Sequence, residues 1–152
     1  MKVITREETN RLLDLLGQET EIFKQMLKLT EHQTELIEAD EIDEFNASLD
    51  NRQELIEKIN GLHQESQLLM QSYIAYTGAS GGKSILTIDA ASEKLRELVT
   101  ACARLNEKNA ATAKERAKNY AERSGKISTS RKGLTSYIQN VSRESEIFDK
   151  MT

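Results

Sequence analysis

Apolar side chains recur every three or four residues along most of this chain, the spacing that gathers them on one face of an α-helix. Leu12, Leu16, Glu19, Phe23, Met26, Thr30, Gln33 and Ile37 step by four and three, while Leu15, Ile22, Leu29 and Leu36 add a second row at seven. The two rows make a stripe wide enough to pack against two helices rather than one. Ahead of it, Thr5-Arg6-Glu7-Glu8 reads as a capping box, with Thr5 covering free N–H groups and Glu8 reaching back. The pattern predicts a first helix over about 5–38.

The register is interrupted at Glu38-Ala39-Asp40-Glu41, where Asp40 is suited to cap a second helix and Glu41, Asp43 and Glu44 suit the positive end of its dipole. Ile42, Phe45, Leu49, Arg52, Ile56, Ile59, His63, Ser66, Met70 and Tyr73 continue the stripe, with Leu55, Leu62 and Leu69 at spacing seven. This predicts a helix over about 41–77. Gly78, Gly81 and Gly82 then stop it, and Ile85-Leu86 is expected to cover the end of the bundle. A third helix, capped by Thr87 or Asp89, is predicted over about 88–124 along Leu95, Leu98, Cys102, Leu105, Asn109, Thr112 and Arg116, ending at Ser124-Gly125. Its second half is rich in alanine and has little to bury.

Beyond a basic, polar stretch, Leu134, Tyr137, Ile138, Val141 and Phe148 fall near helical spacing, over about 131–150. The expected fold is all-α: an elongated antiparallel bundle of three long helices over 1–125, then a flexible basic linker and a short amphipathic C-terminal helix within 126–152. That helix either folds back onto the bundle or docks its apolar face on a partner.

Composition narrows the picture. Proline and tryptophan are absent, aromatics are 5% and charged residues 30% of the 152 residues, which suits a narrow core of Leu, Ile and Ala along helix faces. Residues 1–60 hold 15 acids and 7 bases, residues 61–100 hold 4 and 3, and residues 101–152 hold 6 and 11. An acidic front and a basic back, within a net charge of −4, point to pairing between helices or to an acidic partner. The sequence has no signal-peptide pattern at Met1–Arg6 and no apolar run near the ~20 residues of a membrane span, so the expected location is cytoplasmic.

Candidate chemistry is sparse. Gly82-Lys83-Ser84 resembles the end of a phosphate loop, but that loop needs a glycine where Thr77 stands, and a buried strand before it. His32 and His63 have no partner at metal-ligand spacing, and the single Cys102 lies on an apolar stripe without a histidine nearby in sequence. No general acid–base pair is selected. The chain is expected to be neither an enzyme nor a metal or cofactor binder. Lys114–Lys132 carries seven bases and two acids around Tyr120, which could meet phosphates, but no nucleic-acid module is readable in this acidic chain.

Leu36-Ile37-Glu38-Ala39-Asp40-Glu41-Ile42-Asp43-Glu44-Phe45 resembles the junction between the first two helices of the FlgN family. Asn51–Ile59 is similar to the segment that follows it, and Leu95–Leu98 leading to Leu105-Asn106-Glu107-Lys108-Asn109 resembles the Leu-Asn-x-x-Asn element of the family's third helix. Order and spacing agree over about 8–120. The resemblance implies a cytoplasmic chaperone of the flagellar type III export pathway, without catalytic residues or cofactor. It implies binding to the C-terminal regions of hook–filament junction (hook-associated) proteins, FlgK-like and FlgL-like, and delivery to an export gate component. It places client binding in the C-terminal part and a tyrosine at the gate. The candidate partner-binding residues are then Leu105, Asn109, Tyr120, Leu134, Tyr137, Ile138, Val141 and Phe148, with Tyr120 and Tyr137 the candidates for the gate. A structural coiled-coil scaffold and a nucleic-acid-associated helical protein are the alternative readings.

Overall fold

The structure is a computed structural model that describes residues 3–78, 81–123, 138–139 and 141. Its long elements are α1 (Arg6–Glu38), α2 (Ile42–Thr77) and α3 (Leu86–Arg123). At 1.5 Å per residue each is on the order of 50 Å long or slightly more. The stop at Ser124-Gly125, the candidates Leu134, Tyr137 and Phe148, and all of the expected C-terminal helix except Ile138, Gln139 and Val141 lie outside the described residues.

Pairings between helices give the topology. Arg11 meets Glu65, Thr30 meets Arg52 and Gln33 meets Ser48, so α1 and α2 are antiparallel. Phe23 faces Cys102, Thr30 faces Asn109 and Asp40 faces Arg116, so α3 runs parallel to α1. The broad stripe on α1 packs against both other helices, whereas among the described residues no Cα of α2 comes within 8 Å of one of α3. The consequence is a central α1 with a cleft between its two neighbours.

Several of the helix ends have a local cause. Glu8 N–H donates to Thr5 Oγ1 at 3.1 Å and Thr5 N–H donates to Glu8 Oε2 at 3.4 Å, completing the expected capping box. Asp40 does not cap α2. It adopts φ 56° just past the end of α1, so that Glu41 N–H reaches Leu36 O at 2.9 Å and Asp40 N–H reaches Ile37 O at 3.2 Å. That is a Schellman stop, in which the left-handed position is taken by one of the few non-glycine residues that tolerate it. Glu41 stands at the N-cap of α2 without a side-chain capping bond.

At the other end, Gly82 N–H donates to Tyr76 O at 2.9 Å, and a Cβ on Gly82 would lie 2.6 Å from that same oxygen. Only glycine fits this crossing. Tyr73 Oη donates to Asp89 Oδ1 at 2.7 Å and accepts from Ile85 N–H at 2.8 Å, fastening the loop to the first turn of α3. Ile85 packs on the core as expected; Leu86 does not, being 81% exposed.

Two apolar clusters form the core. The larger holds Leu12, Leu16, Phe23, Met26, Ile56, Ile59, Val99 and Cys102; the smaller holds Leu36, Ile37, Phe45, Ala113 and Val141 near the α1–α2 junction. On α3 the fully buried row is Ile88, Leu95, Val99, Cys102, Asn106, Asn109 and Ala113. Leu98, Leu105, Thr112 and Arg116 of the expected stripe are only half-buried flanks. Because α3 leans mainly on α1, it buries a narrower arc than its apolar residues could cover.

Candidate functional site

A layer of polar side chains separates the two apolar clusters. Arg52 on α2, 1% exposed, donates from Nη1 to Thr30 Oγ1 at 2.7 Å and to Gln33 Oε1 at 3.1 Å. Gln33 Nε2 donates to Ser48 Oγ at 3.0 Å, and Ser48 donates to Phe45 O. From α3, Asn109 Nδ2 donates to Thr30 O at 3.0 Å while its Oδ1 accepts from Thr34 Oγ1 at 2.7 Å. Buried polar groups are tolerated only when satisfied, and each bond here forms at one axial setting. The layer therefore fixes the register of all three helices. Asn109, a candidate partner-binding residue, is committed to this layer.

Tyr120 is half-buried near the α1–α2 junction, and its hydroxyl donates to Asp40 Oδ1 at 2.9 Å, beside Arg116 Nη1 at 2.7 Å from the same oxygen. Burial, then donation to the Asp40 carboxylate, raise its pKa above the ordinary phenol value; Arg116 and Arg123 act in the opposite direction. Leu105 is half-buried on a flank of α3, and Ala110, Ala117 and Tyr120 pack partly against the smaller cluster. Val141 is buried in that cluster, and Ile138 is half-buried. The structure thus gathers Tyr120 and Val141 at the junction end.

A cleft with a mainly apolar lining lies between α2 and α3. It encloses about 480 Å³ over a floor of Leu16 and Glu19 from α1, between Met70 and Ile74 of α2 and Leu95 and Val99 of α3. Glu19, 1% exposed, accepts from Ser66 Oγ at 2.7 Å, and His63 Nδ1 stands 3.6 Å away, beyond hydrogen-bond reach. Both imidazole nitrogens are buried without a hydrogen-bond partner among the described residues. Tyr73, at the upper edge, has its pKa raised, first by burial and then by donation to Asp89.

This arrangement offers no catalytic constellation among the described residues. Gly82 N–H is spent on Tyr76 O rather than offered to a phosphate. No group of His, Cys, Asp and Glu there could hold a metal ion, and Cys102 is buried with Sγ 3.6 Å from Phe23 O. No described helix is long and apolar enough to cross a membrane.

What decides the identity is a family comparison. The FlgN protein family model matches residues 1–146, nearly the whole chain. This chain belongs to the FlgN family. No curated protein and no solved structure matches it. FlgN proteins are flagellar export chaperones and not enzymes, which agrees with a fold that presents apolar helix surface. In this FlgN protein the junction segment Leu36–Phe45 builds the Schellman turn and supplies three of the five buried residues of the smaller cluster. Asn106 and Asn109, the asparagines of the Leu-Asn-x-x-Asn element, are both buried in the bundle, and Asn109 locks α3 to α1.

The cleft's polar trio Glu19, His63 and Ser66, like the layer around Arg52, lies outside the partner-binding residues expected from the sequence. The signal is present there all the same: Glu19, Arg52, His63 and Ser66 occupy stripe positions where apolar residues stand on either side.

Proposed function

We propose that this FlgN protein is a cytoplasmic export chaperone that binds the C-terminal helices of hook–filament junction proteins, FlgK-like and FlgL-like, and delivers them to the type III export gate. The family match over residues 1–146 carries this reading. The architecture supports it physically. A chaperone of secreted helical segments needs apolar surface of helical length, held open by a scaffold that does not collapse on itself. Here α1 supplies the scaffold, while α2 and α3 stand apart and keep apolar flanks partly exposed.

Within this reading, Leu105, Ile138, Leu134 and Phe148 contribute apolar contacts to the client, while Val141 is spent on the smaller cluster. Tyr120 and Tyr137 are the gate-facing candidates. Asn109 acts through the register of α3. The test is secretion. In a strain lacking this chain, hook-associated proteins should disappear from the culture medium while hook protein is still exported, and restoring the gene should restore them. Undiminished export of hook-associated proteins from the deletion strain would count against the proposal.

A further inference from the structure

We infer that the cleft between α2 and α3 near the glycine-loop end is a docking groove for an amphipathic helix of the client, one that carries a lysine or arginine on its apolar face. This inference rests on the chaperone reading and names where and how part of the client is held.

Three observations lead to it. First, the groove has apolar walls on both sides that no described element covers: Met70 is half-buried and Ile74, 60% exposed, faces Leu95 and Val99 across the gap. Side chains standing at helical spacing along two parallel walls suit a third helix lying between them. Second, the groove is kept open by the layout of the bundle, because α2 and α3 both pack on α1 and are joined at this end through Tyr73 and Asp89. Third, its floor carries a buried carboxylate that lacks a cation. Among the described residues Glu19 has no Lys or Arg partner; it has only the Ser66 hydroxyl and the His63 ring at 3.6 Å. A carboxylate taken from water without a counter-charge is costly, and a cation brought by the occupant offsets that cost.

The remaining charges agree in sign. Asp89 is engaged by Tyr73, and Arg96 on the α3 rim is paired with Glu93 at 3.4 Å. Glu19 and Asp89 are thus the lining carboxylates without a Lys or Arg partner among the described residues. An acidic or purely apolar helix gains nothing from Glu19, whereas a helix with one basic residue amid its apolar stripe matches walls and floor together.

The experiment uses the full chain and the C-terminal region of a hook-associated protein from the same organism, with affinity read by titration calorimetry. Ile74→Glu places a second charge on the wall and should weaken binding by about tenfold or more, equivalent to at least about 1.4 kcal/mol. Glu19→Gln, which keeps the acceptor for Ser66, should also weaken it and should reduce its dependence on salt. Leu68→Glu, at an exposed α2 position outside the groove lining, should leave it unchanged. Circular dichroism of each variant checks that the fold is retained. Wild-type affinity in a folded Ile74→Glu protein overturns the groove and leaves the chaperone reading standing. A wild-type chain that binds no hook-associated fragment overturns both. If Ile74→Glu instead converts a dimer to a monomer at unchanged client affinity, the groove joins copies of this chain and the inference fails.

Discussion

Arg116, three-quarters of the way along the chain, places its Nη1 2.7 Å from Oδ1 of Asp40, the residue that turns α1 into α2 in a left-handed conformation. One side chain of α3 thus reads the geometry of a turn between two other helices. The pair is partly exposed, so its own contribution is modest. Its position makes it a structural check on the junction.

Substitution at position 40 separates backbone conformation from side-chain pairing. Asp40→Gly relieves the positive φ while losing Arg116 and Tyr120, so stability should change little. Asp40→Ala loses the same contacts and keeps a Cβ in the left-handed region, so it should cost about 1–2 kcal/mol. Urea midpoints of the two variants measure the difference. Equal losses for Gly and Ala would mean that pairing, which both remove, dominates over conformation.

The polar layer should respond more strongly. Arg52→Ala leaves Gln33 Oε1 and the neighbouring buried groups without a donor and is expected to cost about 3 kcal/mol or more. Asn109→Ala removes the bonds to Thr34 Oγ1 and Thr30 O, which keep the bond between them, and should cost about 1–3 kcal/mol. Thermal melts give the magnitudes. Because the two side chains meet the same Thr30, the double variant should lose less than the sum of the singles.

Much of this fold is legible in the spacing of apolar residues. The α1 stripe from Leu12 to Ile37 is buried along its whole length, and its width announces two neighbours. The Thr5–Glu8 box marks the start of α1 because a capping box is a local motif. Asp40 departs from its expected capping role because an acidic residue between helices fits either a cap or a left-handed stop, and only the tertiary partners Arg116 and Tyr120 decide between them. On α3, Leu98 and Leu105 look like the core positions, yet their neighbours Val99 and Asn106 are the ones buried. Asn106 looks like a surface residue in sequence, yet it sits 2% exposed. The groove is hidden from sequence for a related reason. Whether α2 and α3 touch depends on how both lean on α1, and no periodicity along one helix records that.

Glycine substitutions should split by position. Gly17 and Gly61 lie inside helices with open space where a methyl group would stand, so alanine at either site should stabilise by about 0.5–1 kcal/mol. Gly82→Ala should destabilise, since its Cβ would collide with Tyr76 O and the loop would have to shift. Denaturant midpoints of the three single variants make the comparison.

The two elevated tyrosines give an alkaline signature. Their folded pKa values lie above the ordinary value, so folding favours the neutral phenols. The stability they contribute is fully present below about pH 10 and is lost as pH rises through the folded values. Spectrophotometric titration should show Tyr73 and Tyr120 ionising late, and Tyr120→Phe should flatten part of the alkaline fall in stability. The Arg11–Glu65 pair works at the opposite end. Its hydrogen bond lowers the Glu65 pKa, so its contribution is present above the ordinary carboxylate range and fades as pH falls through the folded value, weakly and with screening by salt.

The central claim is that this helical scaffold chaperones a hook-associated protein, and direct association tests it. The purified chain titrated with the C-terminal region of a hook-associated protein from the same organism should give saturable binding with a negative heat-capacity change, the mark of apolar surface buried between helices. Absence of binding to every hook-associated protein of that organism, by a chain shown to be folded and helical, would contradict it.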